Sequence, residues 1–246
     1  MDRFKGLKIG LQSFTLRKFD VPGVVERLNE LGLKYVEWAK KHLTAESGDA
    51  AIAQARDLCA KNGITVNCVG VGNLVADLEK NRPQFEFAKK LGVKVIMANP
   101  MLDSLDAVDK LAQEYQINVG IHNHGPTSTW PDIPTIDKHV QGHSNRIGLC
   151  VDTGHFTRVP VDPIEVFHRF KDRVHSVHLK DIDQDKDGKH GQEHIIGDGP
   201  LDLRAVMQLL LEWKFQGPIS IEYEINADNP MDDLRVALDR IEKALA

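Results

Sequence analysis

Four segments from the middle of the chain onward end in side chains able to hold a cation or move a proton. They are Ile121-His122-Asn123-His124, Cys150-Val151-Asp152-Thr153-Gly154-His155, Ser176-Val177-His178-Leu179-Lys180 and Ile219-Ser220-Ile221-Glu222-Tyr223-Glu224. If each segment is a strand, alternation puts His122 on the face of Gly120, Asp152 with Cys150 and Gly148, His178 with Ser176, and Glu222 with Ser220. The opposite face carries Val119, Ile121, Leu149, Val151, Val177, Ile219 and Ile221. The bulky set is expected to pack under outer helices and the small, polar set to point inward, so that two imidazoles and two carboxylates converge. Buried groups of this kind are strongly destabilising unless paired, protonated or bound to a cation, and one divalent metal ion is the simplest remedy. A mixed nitrogen and oxygen donor set suits Mn²⁺, Co²⁺ or Zn²⁺ and, less well, Mg²⁺. The lack of thiolate donors argues against a structural zinc site. Such an ion polarises a carbonyl and acidifies the neighbouring C–H, with Glu222, His122 or His124 placed to move the proton.

The elements that must position these residues recur along the chain. Short β-rich runs are expected at Leu7 to Ser13, Leu33 to Trp38, Ile64 to Gly70, Val93 to Asn99, Asn118 to Asn123, Ile147 to Asp152, Val174 to Lys180 and Pro218 to Glu224. Between them lie amphipathic runs with helical spacing, such as Val24, Leu28 and Leu31, or Leu203, Val206, Leu209 and Leu210. Gly32, Gly63 and Gly92 fall where a helix hands over to the next strand, the place for a left-handed cap. Eight βα units predict a closed (β/α)₈ barrel, an α/β TIM barrel occupying residues 1–246 as one domain, with its active site at the C-terminal ends of the strands. An open doubly wound sheet shows the same alternation, but the first turn reads Gln-Ser-Phe-Thr where a dinucleotide-binding sheet carries GxGxxG.

Composition narrows the partners. The 246 residues are 41% hydrophobic and 27% charged, with a formal net charge of −5, which fits a globular chain with a large core and offers no basic stripe for nucleic acid. No run of about 18 apolar residues marks a membrane span, and the start has no signal-peptide pattern. Three cysteines, Cys59, Cys68 and Cys150, without CxxC spacing favour a reducing compartment. The expectation is a cytoplasmic protein that binds no nucleic acid and no membrane; association into a homo-oligomer is compatible with the sequence and not decided by it.

Four motifs in order, VDTGH at Val151 to His155, VHLKD at Val177 to Asp181, GDGPLDL at Gly197 to Leu203 and GPISIEYE at Gly217 to Glu224, give the chain its likeness. Over nearly its whole length it resembles the sugar phosphate isomerase/epimerase family within the xylose isomerase-like TIM barrels. The resemblance implies that Asp152, His178 and Glu222 bind the metal, that Glu222 is also available as an acid/base, and that His155 and Lys180 contact a small-molecule, sugar-like substrate. It implies an isomerase or epimerase acting on a keto-sugar or related polyol. Epimerases of the family place a glutamate at the end of the fifth strand as fourth ligand and second acid/base, and this chain has His122 there. Returning the proton to the adjacent carbon gives an isomerase; if the intermediate instead expels a β-substituent, the same residues give a dehydratase or lyase of a keto-sugar or keto-glycoside, and the missing fifth-strand glutamate also fits a non-catalytic sugar-binding barrel. A phosphodiesterase of the endonuclease IV type needs several metals and a DNA groove, which the few rim ligands and the acidic balance count against.

Other residues carry weaker expectations. Glu37 ends the second strand and faces either the substrate or a rim lysine, while His42 is expected as a solvated surface histidine. Trp38 and Trp130 are expected at contacts between helices and barrel. The stretch Asp183 to Gly188 resembles half an EF-hand loop, but the twelfth position is His194, so a polar loop covering the barrel mouth is preferred, with Glu193 and His194 placed to reach the substrate. Gly197-Asp198-Gly199 before a helix reads either as a phosphate-capturing turn or as a plain one.

Overall fold

The computed structural model describes residues 2–159, 161–186 and 190–246. Eight parallel strands close into a barrel in sequence order: β1 (Lys8–Gln12), β2 (Tyr35–Trp38), β3 (Thr65–Leu74), β4 (Val95–Pro100), β5 (Asn118–His122), β6 (Ile147–Asp152), β7 (Val174–Leu179) and β8 (Pro218–Ile221). Around it run α1 (Val21–Glu30), α2 (Asp49–Lys61), α3 (Leu78–Leu91), α4 (Leu105–Tyr115), α5 (Ile133–Val140), α6 (Thr153–Thr157), α7 (Pro163–Arg169), α8 (Leu203–Glu212) and α9 (Met231–Leu245). No helix among the described residues is long and apolar enough to cross a membrane.

The helices start and stop where side chains satisfy their loose ends. Asp20, Asp77, Asp132, Asp162 and Asp202 each accept a backbone N–H of the first turn, the usual N-cap chemistry. Gly32, Gly63 and Gly92 take φ of 68°, 67° and 77°, the left-handed values that only glycine adopts without strain. One strand outruns its sequence: β3 continues to Leu74, past the expected end at Gly70, with Gly72 opposite Ala98 and Asn73 opposite Asn99. Gly and Asn read locally as a turn, but the neighbouring strand supplies hydrogen bonds that override their weak propensity.

The strands divide their side chains as the alternation requires. Val119, Ile121, Leu149, Val151, Val177, Ile219 and Ile221 are buried in the main core, whereas Cys68, Met97 and Cys150 form a separate small cluster with Val95. Trp38 and Trp130 are wholly buried, the Trp130 indole N–H donating to the Pro100 carbonyl at 2.8 Å.

The register carries the chemistry. His122 lies opposite Cys150, Asp152 opposite His178, and His178 opposite Ser220. Asp152 stands two residues beyond Cys150, and Glu222 two beyond Ser220. Even offsets leave the side-chain face unchanged, so all four polar groups point inward near the top of the barrel.

Candidate metal centre

His122, Asp152, His178 and Glu222 present one ligand atom each, all within 4.8 Å of one another. His122 Nε2 is 3.1 Å from His178 Nδ1 and 3.5 Å from Asp152 Oδ2; His178 Nδ1 is 3.7 Å from Asp152 Oδ2 and 2.8 Å from Glu222 Oε2. With bonds of about 2.1 Å, adjacent donors sit about 3.0 Å apart around an octahedral ion and about 3.4 Å apart around a tetrahedral one. The four separations bracket these values, so the group could hold one cation with little movement. Asp152 Oδ2 is buried and has no hydrogen-bond partner among the described residues. A buried carboxylate oxygen left bare among imidazoles is what a missing cation would explain.

Each donor is fixed by neighbours. The Asn123 side chain donates to the Asp152 carbonyl at 3.0 Å and accepts its N–H at 2.9 Å, clamping the end of β6. Asp152 Oδ1 accepts the His155 N–H at 2.8 Å, capping α6 and leaving only Oδ2 for the cluster. His178 turns Nε2 toward the Glu37 carboxylate, 3.0 and 3.2 Å away, and so aims Nδ1 at the cluster. A carboxylate behind a ligating imidazole sets its tautomer and raises its basicity. His122 lacks such a partner: its Nδ1 is buried without one among the described residues.

The motif between Asp152 and His155 has a part for each residue. Thr153 Oγ1 donates to the Lys180 carbonyl at 2.6 Å and accepts the Lys180 N–H at 3.0 Å, tying α6 to the end of β7. A Cβ on Gly154 would stand 2.8 Å from the Lys180 side chain, so glycine leaves the channel through which that lysine reaches Glu222 and Glu224. Lys180 Nζ is 3.7 Å from Glu222 Oε2 and in closer contact with Glu224 Oε1.

Charge follows from this packing. Burial would raise the Asp152 carboxyl, but His155, His122, His178 and Lys180 more than offset it and hold the group well below the usual range. Glu222, against burial, is held low by Lys180 and His178. Burial would lower the His178 imidazole, yet Cys150, Glu37, Glu222 and Asp152 raise it well above its ordinary value. The Lys180 ammonium resists burial through Glu222, Asp152 and Glu224 and stays charged. His155, under burial, is lowered to about 3 and is neutral.

Above the cluster a cleft of about 460 Å³ runs toward β1–β4, lined by Gln12, Asn73, Asn99 and Lys41 and floored by His122 and Glu222. A second lobe of about 400 Å³, bounded by His155, Arg158, Lys180 and Glu193, shares His124 and Glu224 with it. The structure thus brings His122, Asp152, His178 and Glu222 together and puts His124, His155 and Lys180 at the mouth. The rings of His124 and His155 lie 4.3 Å apart.

Other sequence-based expectations are placed differently. Glu37 is fully buried against His178 Nε2 and lines neither lobe. His194 Nε2 faces Asp183 Oδ1 at 3.0 Å, outside the residues lining the mouth, because alternation after Glu193 turns it away. His42 is not a solvated histidine; its ring bridges Ser13 Oγ and the Phe19 carbonyl, each at 3.0 Å.

The Gly197 to Leu201 turn is no phosphate cradle. Asp181 already accepts the N–H groups of Gly197, Gly199 and Leu201 at 2.9, 3.0 and 3.1 Å, and a Cβ on Gly199 would meet Asp181 Oδ1 at 2.4 Å. In the stretch resembling a calcium loop, Asp183 faces His194 and Asp185 pairs with Arg158 at 3.1 Å, while Asp187 and Gly188 lie outside the described residues. The Asn123 clamp, the Asp181 cap and the amides Gln12, Asn73 and Asn99 over the cluster have no counterpart among the residues singled out along the chain. The register of distant strands, which a single sequence does not display, was the only signal for them.

A sequence profile of the family described as xylose isomerase-like TIM barrel matches residues 25–244. An inosose dehydratase from Clostridium tetani is 31% identical over 134 residues, which are 49% of this chain and 45% of that protein; the chain spans about half the length of the curated relatives it matches. An uncharacterised protein from Parabacteroides distasonis superposes with a TM-score of 0.73 at 27% identity, covering 97% of this chain and 99% of that one. A 3-keto-D-glucoside 4-epimerase from E. coli has the same fold, with a TM-score of 0.72 at 15% identity over 96% of this chain and 99% of its own.

Proposed function

The chain belongs to the xylose isomerase-like TIM barrel family, and we propose that it is a divalent-metal-dependent enzyme that removes the proton next to the carbonyl of a keto-sugar or keto-polyol and expels the β-oxygen, a dehydratase or lyase. The observation that carries this reading is the unequal pair at the cluster. Glu222 is an ionised carboxylate with the Lys180 ammonium 3.7 Å away, while the fifth strand contributes His122 and not a second carboxylate. Asp152 is no free base, since one oxygen caps α6. One base beside one cation serves elimination, which needs a proton removed and a leaving oxygen neutralised, better than epimerisation, which needs proton carriers on both faces of the carbon. The inosose dehydratase likeness points the same way.

When bound by His122, Asp152, His178 and Glu222, a divalent ion supplies Lewis acidity toward a keto oxygen and its neighbouring hydroxyl. Glu222 takes the proton from the adjacent carbon. Lys180 keeps Glu222 ionised beforehand and faces the oxyanion that develops. Gln12, Asn73 and Asn99 offer both donors and acceptors to the remaining hydroxyls, as a polyol requires. Mn²⁺, Co²⁺ and Zn²⁺ suit the donor set better than Mg²⁺.

A second reading, isomerase or epimerase, is favoured by the neutral His155 beside His124 at the mouth, a proton carrier that is not a carboxylate, and by the E. coli epimerase of the same fold. The test is metal-free protein loaded with Mn²⁺, Co²⁺ or Zn²⁺ in deuterated water and offered inososes and 3-keto-glucosides. Deuterium uptake with a growing enone absorbance supports the dehydratase; uptake with inverted or moved configuration and no enone supports the second reading. Stoichiometric metal with neither uptake nor turnover on any keto-polyol refutes both.

A further inference from the structure

The loop after β7 returns on itself. Ile182 bridges Glu193, the Asp183 N–H donates to the Gln192 carbonyl at 2.9 Å, and the His194 N–H donates to the Asp181 carbonyl at 2.8 Å. This short antiparallel return hangs Glu193 over the end of the barrel. Its Oε1 accepts the Glu224 N–H at 2.8 Å, and the half-buried side chain forms a wall of the second lobe together with Lys180, His155 and Arg158. No donor of the metal cluster uses it. The lobe adjoins the cleft over Glu222 through His124 and Glu224, so a group leaving a substrate seated over the cluster has this wall beside it.

Glu193 also differs from the other carboxyls in its proton. Burial pushes it up to about 7, against the pull of Lys180 and of the Glu224 N–H, with Glu224 and Glu222 adding to the rise. Tyr223 also feels it, and His124, His155 and His190 line the same lobe; Arg158, across the lobe, is engaged by Asp185. Asp152 and Glu222 are held ionised nearby. Carboxyls whose surroundings drive their proton affinities apart are how one site keeps a base and an acid together.

We propose that Glu193 is the general acid that protonates the departing β-oxygen, a role that rests on the dehydratase reading above. In the step, the Glu222 carboxylate takes the proton from the carbon next to the carbonyl, the freed electron pair becomes the new C=C bond, and the β C–O bond breaks. The Glu193 carboxyl gives its proton to the departing oxygen, releasing water from a free hydroxyl or an alcohol from a glycoside. Glu222 ends protonated and Glu193 ionised, and exchange with solvent restores both.

The test is Glu193→Gln, whose side-chain carbonyl still accepts the Glu224 N–H, so the loop keeps its anchor. General acid catalysis is worth roughly 10²- to 10⁴-fold, and loss of water from a keto-polyol should slow by about that factor. Deuterium exchange at the carbon next to the carbonyl should persist, and a β-fluoro keto-polyol, whose fluoride leaves without a proton, should eliminate at close to the wild-type rate. The wild-type rate of water loss should fall as pH rises through about 7, and the variant should lose that limb. Equal slowing of the hydroxyl and fluoro substrates would make Glu193 a positioning residue and overturn the assignment. Unchanged water loss in the variant would overturn it as well. Wild-type protein that neither exchanges nor eliminates would sink the dehydratase reading and this assignment with it.

Discussion

Replacing Glu37 with Gln changes a carboxylate that lines neither lobe of the cleft. The side chain is wholly buried, and its oxygens lie 3.0 and 3.2 Å from His178 Nε2. The amide keeps an acceptor for that N–H, so the fold has little reason to fail. What is lost is the negative partner that raises the basicity of Nδ1 on the far side of the same ring. Outer partners of this kind are worth about 10- to 100-fold in metal affinity, or about 1.4–2.8 kcal/mol at about 1.4 kcal/mol per tenfold. Competition for Mn²⁺ or Zn²⁺ against a chromophoric chelator at neutral pH should show that weakening at an unchanged stoichiometry of one. At saturating metal the substrate KM should stay near that of the wild type. A folded Glu37→Gln protein with wild-type metal affinity would refute the reasoning, and a raised KM at saturating metal would return Glu37 to substrate contact.

Chelation should lower thermal stability: an ion at about 100 times its Kd adds about 2.7 kcal/mol to the native state, or about 5–11 °C in Tm for a chain of this size, and identical melting with EDTA and with Mn²⁺ would count against a site at His122, Asp152, His178 and Glu222. Asp181→Ala strips the acceptor from three backbone N–H groups and should cost about 2–4 kcal/mol in urea unfolding while phosphate leaves stability unchanged in the wild type; stabilisation of the wild type by phosphate would restore the anion-binding turn. His175, lowered to about 4 by burial, is neutral when folded, whereas the unfolded chain takes up its proton below about 6.5. Its contribution is therefore complete above about pH 6.5 and is lost as pH falls toward 4, by up to about 1.4 kcal/mol per unit. His175→Asn should flatten the stability profile across that window, and an unchanged slope would show that His175 is not buried as a neutral ring.

Much of this was legible along the chain. The eight apolar runs, the glycines at helix ends and the polar closures of β5 to β8 are local signals, since strand alternation and cap chemistry act over a few residues. They sufficed to name the barrel and to put His122, Asp152, His178 and Glu222 on one inward face. Where a signal depended on a distant partner, the chain was silent or misleading. Gly197-Asp198-Gly199 reads either as a phosphate-capturing turn or as a plain one, and only folding brings the Asp181 carboxylate onto those amides. Glu37 reads as a rim residue, and only closure of the barrel brings it within 3.0 Å of His178, 141 positions away. Glu193 gained its place because the loop after β7 turns back on Ile182 and lies over Glu224. Which residues face inward at the ends of the strands is a local matter, because the period of a strand is written in its own residues. Which of them meet, and at what height, depends on closing the barrel, because its stagger is set by all eight strands at once.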